Sequence, residues 1–165
     1  MAATLVLALK GRNACPNGRP APLGSVAAVP QNPVVAIQVT SGAALMCSFG
    51  IAPSTLTVIP QGTPVQAGGS PAATIQDSKP MASIAPFGMC TTPTNPQVAA
   101  ATAAAMGTLT PQPCIPVTPA PWIPGSPTVL INGQPALNSS CTCLCQWGGV
   151  ITITAPGTAT TVLVP

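Results

Sequence analysis

The chain contains no histidine, no glutamate and no tyrosine, and its one acidic side chain is Asp77. General acid–base catalysis relies on such groups, so most of that chemistry has no residues to run on and no enzyme is expected. Charged residues make up 3% of the 165, where soluble domains usually carry roughly a quarter. The four cations, Lys10, Arg12, Arg19 and Lys79, are scattered and aromatics are 2% of the chain. Nucleic-acid binding needs a clustered basic stripe, usually with stacking aromatics, so no nucleic-acid partner is expected. Long apolar runs are missing too. A membrane-spanning helix needs about 18 or more consecutive apolar residues, and 23 prolines and 15 glycines interrupt every such run. The apolar stretch near the N-terminus precedes Lys10 instead of following a positive charge, the reverse of a secretory signal. Neither a signal peptide nor a transmembrane segment is expected, which places synthesis and folding in a reducing cytoplasm.

What is abundant is cysteine. Seven occur, and Cys141, Cys143 and Cys145 stand at every second position, on one face if the backbone is extended. They run into Gly148 and Gly149, which let the backbone turn or approach a neighbour closely, and then into the strand-forming Val150, Ile151 and Ile153. Cys15, Cys47, Cys90 and Cys114 lie earlier, so a full ligand set requires distant loops to meet at this end. In a reducing compartment clustered thiols more often bind metal or do redox work than form bridges. Four thiolates with no redox partner suit tetrahedral Zn²⁺, with iron as the other candidate. The spacing matches no CxxC…CxxC finger, and free buried cysteines are the plain alternative. A nucleophilic cysteine would want a neighbouring histidine or lysine, and only Lys10 and Lys79 are on offer.

Taken in order, residues 2–9 and 34–39 read as strands separated by a Pro/Gly-rich arm that holds Cys15. A strand is expected over 53–60, with Leu56, Val58 and Pro60 on one face. Asp77 is read as a turn residue that accepts backbone N–H groups two positions on. Ile84-Ala-Pro-Phe87-Gly-Met-Cys90 repeats, loosely reversed, the Cys47-Ser-Phe49-Gly50 grouping, a faint internal pseudo-repeat. Residues 95–107 predict the one helix: Asn95 caps, Pro96 opens, alanines propagate and Gly107 takes the left-handed terminal position. With almost nothing polar on it, this helix is expected to pack against a sheet or a partner. Residues 110–127, dense in proline, predict a rigid extended wrap without ordinary ladder bonds. A hairpin is expected over 128–137 around Asn132-Gly133, and two closing strands over 151–154 and 158–164. The residues alone give a compact, β-rich, cysteine-bound domain.

Several motifs together are more specific. Gly42-Ala-Ala-Leu-Met-Cys-Ser-Phe-Gly50, Asp77-Ser-Lys-Pro80, Pro86-Phe-Gly-Met-Cys90, Asn95-Pro96, Pro113-Cys-Ile-Pro116, Pro121-Trp122 and Cys143-Leu-Cys-Gln-Trp-Gly-Gly-Val-Ile151 resemble, in order and spacing over about residues 38–155, the PAAR-like proteins with cysteine-rich tips. The resemblance implies a mainly β, cone-shaped fold with pseudo-threefold character, proline-rich loops and one short Ala-rich helix. It implies a structural tip, one per trimeric β-helical spike, in a contractile injection machine: a type VI secretion system, a phage tail or an extracellular injection particle. Such a tip meets a target membrane transiently, carries effectors in some systems, and leaves the cell with the particle. A cap whose base is buried on a trimer would account for the scarcity of charge. A Zn²⁺ or iron ion near the point stiffens it, and the matching positions imply Cys47, Cys90, Cys114 and Cys145 as ligands, with Cys143 the alternate. Residues 38–165 would form that domain and 1–37 an N-terminal extension of strand plus arm, preceding the usual start of the family pattern. No long C-terminal extension follows, so a fused toxin is not expected. The alternative is a stand-alone cysteine-rich metal-binding or disulfide-stabilised structural protein.

Overall fold

Proline and glycine cut this sequence into pieces too short for long ladders, and the structure is accordingly built from many small ones. The computed structural model describes residues 35–159 and 161–165; the strand expected over 2–9, the arm and Cys15 lie outside the described residues. In chain order the elements are β1 (Ala36–Ile37), β2 (Ala44–Cys47), β3 (Ser54–Thr55), β4 (Gln66–Ala67), β5 (Ser70–Pro71) and β6 (Met89–Cys90). They continue with α1 (Pro96–Ala104), β7 (Gln112–Pro113), β8 (Leu130–Ile131), β9 (Gln134–Pro135), β10 (Thr142–Leu144), β11 (Val150–Ala155) and β12 (Leu163–Val164). Among the described residues the protein is mainly β with one short helix.

The largest sheet has the order β10-β11-β2-β3, all antiparallel. Its register explains the alternating thiols. Cys143 faces Ile151, and Ile151 faces Cys47, so all three side chains point to one side and are buried. Leu144, Val150 and Met46 take the opposite, exposed side. The inner side meets a core of Leu45, Leu56, Ile84, Phe87, Trp122 and Leu137.

The loosely reversed repeat has a structural meaning, because antiparallel pairing aligns one sequence with the reverse of the other. Gly50 bridges Cys90, Thr91 N–H donates to the Phe49 carbonyl at 3.0 Å, and Ile51 N–H donates to the Met89 carbonyl at 3.1 Å. A Cβ at Gly50 would collide with Phe87, so only glycine lets the two loops close. The Asn132-Gly133 hairpin joins β8 to β9 with both turn residues at positive φ, 50° and 80°, as a type I′ turn requires.

Four expectations are corrected. Among the described residues, the strands read over 34–39, 53–60 and 158–164 shrink to β1, β3 and β12, since isolated bridges and loop bonds replace longer ladders. Leu56 of the expected strand face is buried, but Pro60 is exposed. Asp77 accepts from Thr74 N–H, three residues earlier, at 2.8 Å, and from Ile59 N–H at 3.4 Å, and not from residues after it. The proline-dense stretch is not a ladder-free wrap: β7 pairs with β6, Cys114 N–H donates to the Gly88 carbonyl at 2.7 Å, and Trp122 is 0% exposed.

The helix differs from the expectation at its end. Asn95 Oδ1 accepts from Gln97 N–H at 3.0 Å as a cap, but only Val98 is buried, so the alanine surface is largely open. At the C-terminus Gly107 N–H donates to the Thr102 carbonyl and Met106 N–H to the Ala103 carbonyl, a Schellman motif. Met106, at φ 54°, therefore holds the first left-handed position after the helix, and Gly107, also at positive φ (88°) as expected, comes one residue later in the motif. Its side chain is 98% exposed and contributes no packing. Met106→Gly is expected to raise stability by about 0.5–1 kcal/mol, since glycine adopts positive φ without the Cβ penalty; the urea midpoint measures it.

Candidate metal centre

All six described cysteines are free and buried. Each of the four principal candidates arrives on a different segment: Cys47 ends β2, Cys90 ends β6, Cys114 follows β7, and Cys145 follows β10. The pairing of the two Phe-Gly-Cys loops brings the first two together, and the β6–β7 pair adds the third. The β10–β11 hairpin supplies the fourth, closed by Cys145 N–H to the Gly149 carbonyl at 2.8 Å. Gly148 makes the turn at φ 79°, and Gly149 is the close approach: a Cβ there would stand 2.9 Å from Cys47 Sγ.

The four thiols feel one another. Burial pushes Cys114 up to about 12, and the nearby charges that Cys90, Cys47 and Cys145 would carry as thiolates add to it. Cys47 is raised by burial, with Cys145 and Cys90 adding, while backbone polarity at Phe49 and Gly50 opposes the shift; the Gly50 N–H donates to the Cys47 carbonyl at 3.1 Å. The thiolate is the form that binds metal. Mutual proximity without a cation is thus costly for ionisation, and a bound cation would reverse the cost.

Cys143 and Cys141 stand apart from that quartet in their partners. Burial and Cys145 push Cys143 up to about 11, and its thiol donates to the Ala120 carbonyl at 3.6 Å. Cys141 Sγ donates to Asn138 Oδ1 at 3.1 Å and accepts from Gly125 N–H at 3.3 Å. The alternating triplet therefore shares a buried face but divides into three environments. Among the described residues no three or more His, Cys, Asp or Glu side chains are arranged as a metal-holding group. The quartet is an electrostatic neighbourhood of suitable soft donors, not a formed coordination sphere.

Two contributions escaped the sequence reading. The backbone around Phe49 and Gly50 lowers the Cys47 pKa against its burial, an effect that no residue type announces. The division of labour between Gly148 and Gly149 depends on what lies opposite, although the pair itself marks a turn or close approach.

A pH prediction follows for the metal-free protein. The folded pKa of Cys47, Cys114 and Cys143 lies above the ordinary thiol value, so their burial stabilises the fold below that value and the contribution is lost as pH rises through the folded pKa. The denaturant midpoint of chelator-treated, reduced protein is expected to be level from pH 7 to about 8.5 and to fall between about 9 and 11. A midpoint that rises over that interval contradicts the assignment.

No curated protein and no solved structure matches the chain. The family model described as "Domain of unknown function (DUF4280)" matches residues 39–158, a stretch that holds all six buried cysteines, and the chain belongs to that family.

Proposed function

We propose that this chain is a PAAR-like structural tip that caps and sharpens the trimeric central spike of a contractile injection machine and is rigidified by a cysteine-bound metal. The observation that carries the reading is that Cys47, Cys90, Cys114 and Cys145, from four segments, are all buried and near enough for the other three to raise the Cys114 pKa, a set of soft donors that a metal would have to draw into a coordination sphere. Supporting it, the motifs that resemble the PAAR-like proteins fall almost entirely within the matched residues 39–158, and the fold is mainly β. Zn²⁺ is the metal proposed, with iron as the second candidate, because soft thiolates without a redox partner suit a closed structural site. When bound, the ion supplies cross-linking: four loops that hold few ladder bonds become one unit. The chain's own residues supply the thiolate donors and the dry surroundings. The role is mechanical, not catalytic, and the partner is a β-helical trimer, with effectors as further passengers and the target membrane as a transient contact. Among the described residues no helix is long and apolar enough to cross a membrane. Synthesis in the cytoplasm, assembly at a particle tip and delivery with the particle complete the proposal.

The test joins elemental analysis of protein purified without added metal to co-purification with a trimeric spike protein. About one zinc or iron per chain and one tip per trimer is the expected result. Absence of metal with the thiols already oxidised would favour a disulfide-stabilised protein, and metal without trimer binding a stand-alone metal-binding one.

A further inference from the structure

In a chain with so few charges, both charged side chains among the described residues, Asp77 and Lys79, line one cavity of about 270 Å³. Gln61, Gln76, Asn132 and Gln134 line it as well. Ser83, also in its wall, is 1% exposed, and its Oγ is, among the described residues, the one buried side-chain oxygen or nitrogen left without a hydrogen-bond partner. Such an orphan asks for an unseen partner. Beside the cavity, and sharing Gln61, Asp77, Asn132 and Gln134 with it, lies a narrow slot of about 30 Å³ walled by Val58, Pro60, Val65, Pro71 and Ile131.

The geometry points to this cavity as a binding site for an N-acetylated amino sugar, with the ring among the amides and the acetyl methyl in the apolar slot. Amide side chains both donate and accept, which matches adjacent ring hydroxyls and the acetamido N–H and C=O together. With one carboxylate and one ammonium in its lining, the cavity carries no net charge that would select an ion. The volume lies near the lower end of the roughly 300–1,000 Å³ range of small-ligand sites. An extended peptide is disfavoured because the strand in the wall has both edges occupied. Gln134 pairs with Ile131 on one side, while on the other Ile75 N–H donates to the Pro135 carbonyl and Thr74 bridges Ala136. This site shares no residue with the thiol quartet and does not depend on the spike-tip reading.

The test titrates isotope-labelled full-length chain with N-acetylglucosamine and follows the side-chain amide resonances of Gln61, Gln76, Asn132 and Gln134. Those resonances are expected to shift together, with glucose binding about tenfold more weakly and Gln134→Leu weakening the amino sugar by about tenfold. Gln61→Leu, at an exposed position, is expected to weaken binding without moving the thermal midpoint. The inference is overturned by no shift at tens of millimolar sugar, by equal affinity for glucose, or by tighter capture of an N-acetylated dipeptide amide at the same resonances.

Discussion

Cys114→Ser is expected to abolish metal retention and lower stability by about 4–5 kcal/mol or more, the range in which loss of a metal site is one of the few sufficient causes. Cys141→Ser is expected to keep the metal and cost about 1–2 kcal/mol, the scale of a buried polar substitution whose hydrogen bonds are partly retained. The contrast comes from the environments. Cys114 is surrounded by Cys90, Cys47 and Cys145, whereas Cys141 is already engaged with Asn138 and Gly125. Elemental analysis and denaturant melts of both variants decide it. If Cys141→Ser loses metal as fully as Cys114→Ser, the quartet is wrong; if both keep it, the thiols are ordinary core residues.

Why four thiols should matter so much follows from the ladders. Most strands here are two residues long, so the small sheets are tied to one another by single bridges and separate loop bonds, such as Leu56–Ile84, Thr74–Ala136 and Val39 N–H to the Leu137 carbonyl, instead of by continuous ladders. Cys47 and Cys145 belong to the β10-β11-β2-β3 sheet and its hairpin, while Cys90 and Cys114 belong to the β6–β7 pair. A link among them joins two sheets that also meet through side-chain packing, the Gly50–Cys90 bridge and the Ala52 N–H bond to the Phe87 carbonyl.

Sequence made the local features legible wherever one residue type has one physical use. Asn132-Gly133 announces its turn because both positions need positive φ, and Asn95-Pro96 announces a helix start because cap and fixed φ act within a few residues. The buried face of Cys141, Cys143 and Cys145 was readable from period two alone. Illegible were features decided across the fold. Strand lengths over 53–60 and 158–164 depended on partners that the alternation does not name. Met106 took the first left-handed position because the helix stopped at Ala104, one residue sooner than Gly107 would need. That the reversed Phe-Gly-Cys loops lie against each other was written in the sequence as a reversal, but its meaning required knowing that they pair antiparallel. The polar cavity was invisible because Gln61, Gln76, Asn132 and Gln134 come from separate loops and look in sequence like ordinary surface residues.

Trp122→Ala is expected to cost about 3–5 kcal/mol, the usual range for removing a fully buried large aromatic, and to lower the melting midpoint by roughly 10–20 °C. The loss has two parts that a second variant separates. Trp122 fills the core among the largest fully buried side chains, and its Nε1–H donates to the Asp77 carbonyl at 3.0 Å while its backbone N–H donates to the Ile75 carbonyl. Trp122→Phe keeps much of the volume and drops only the side-chain bond, so about 1–3 kcal/mol is expected from the unsatisfied Asp77 carbonyl and the smaller ring. Asp77 in turn ties Thr74 and Ile59 through its carboxylate, so the indole anchors the loop from which the polar cavity is built. If Trp122→Phe costs as much as Trp122→Ala, the hydrogen bond to that loop outweighs the packing. If Trp122→Ala costs under about 1 kcal/mol, the apolar core contributes little, and the thiol quartet must carry the stability that so few ladder bonds leave unsupplied.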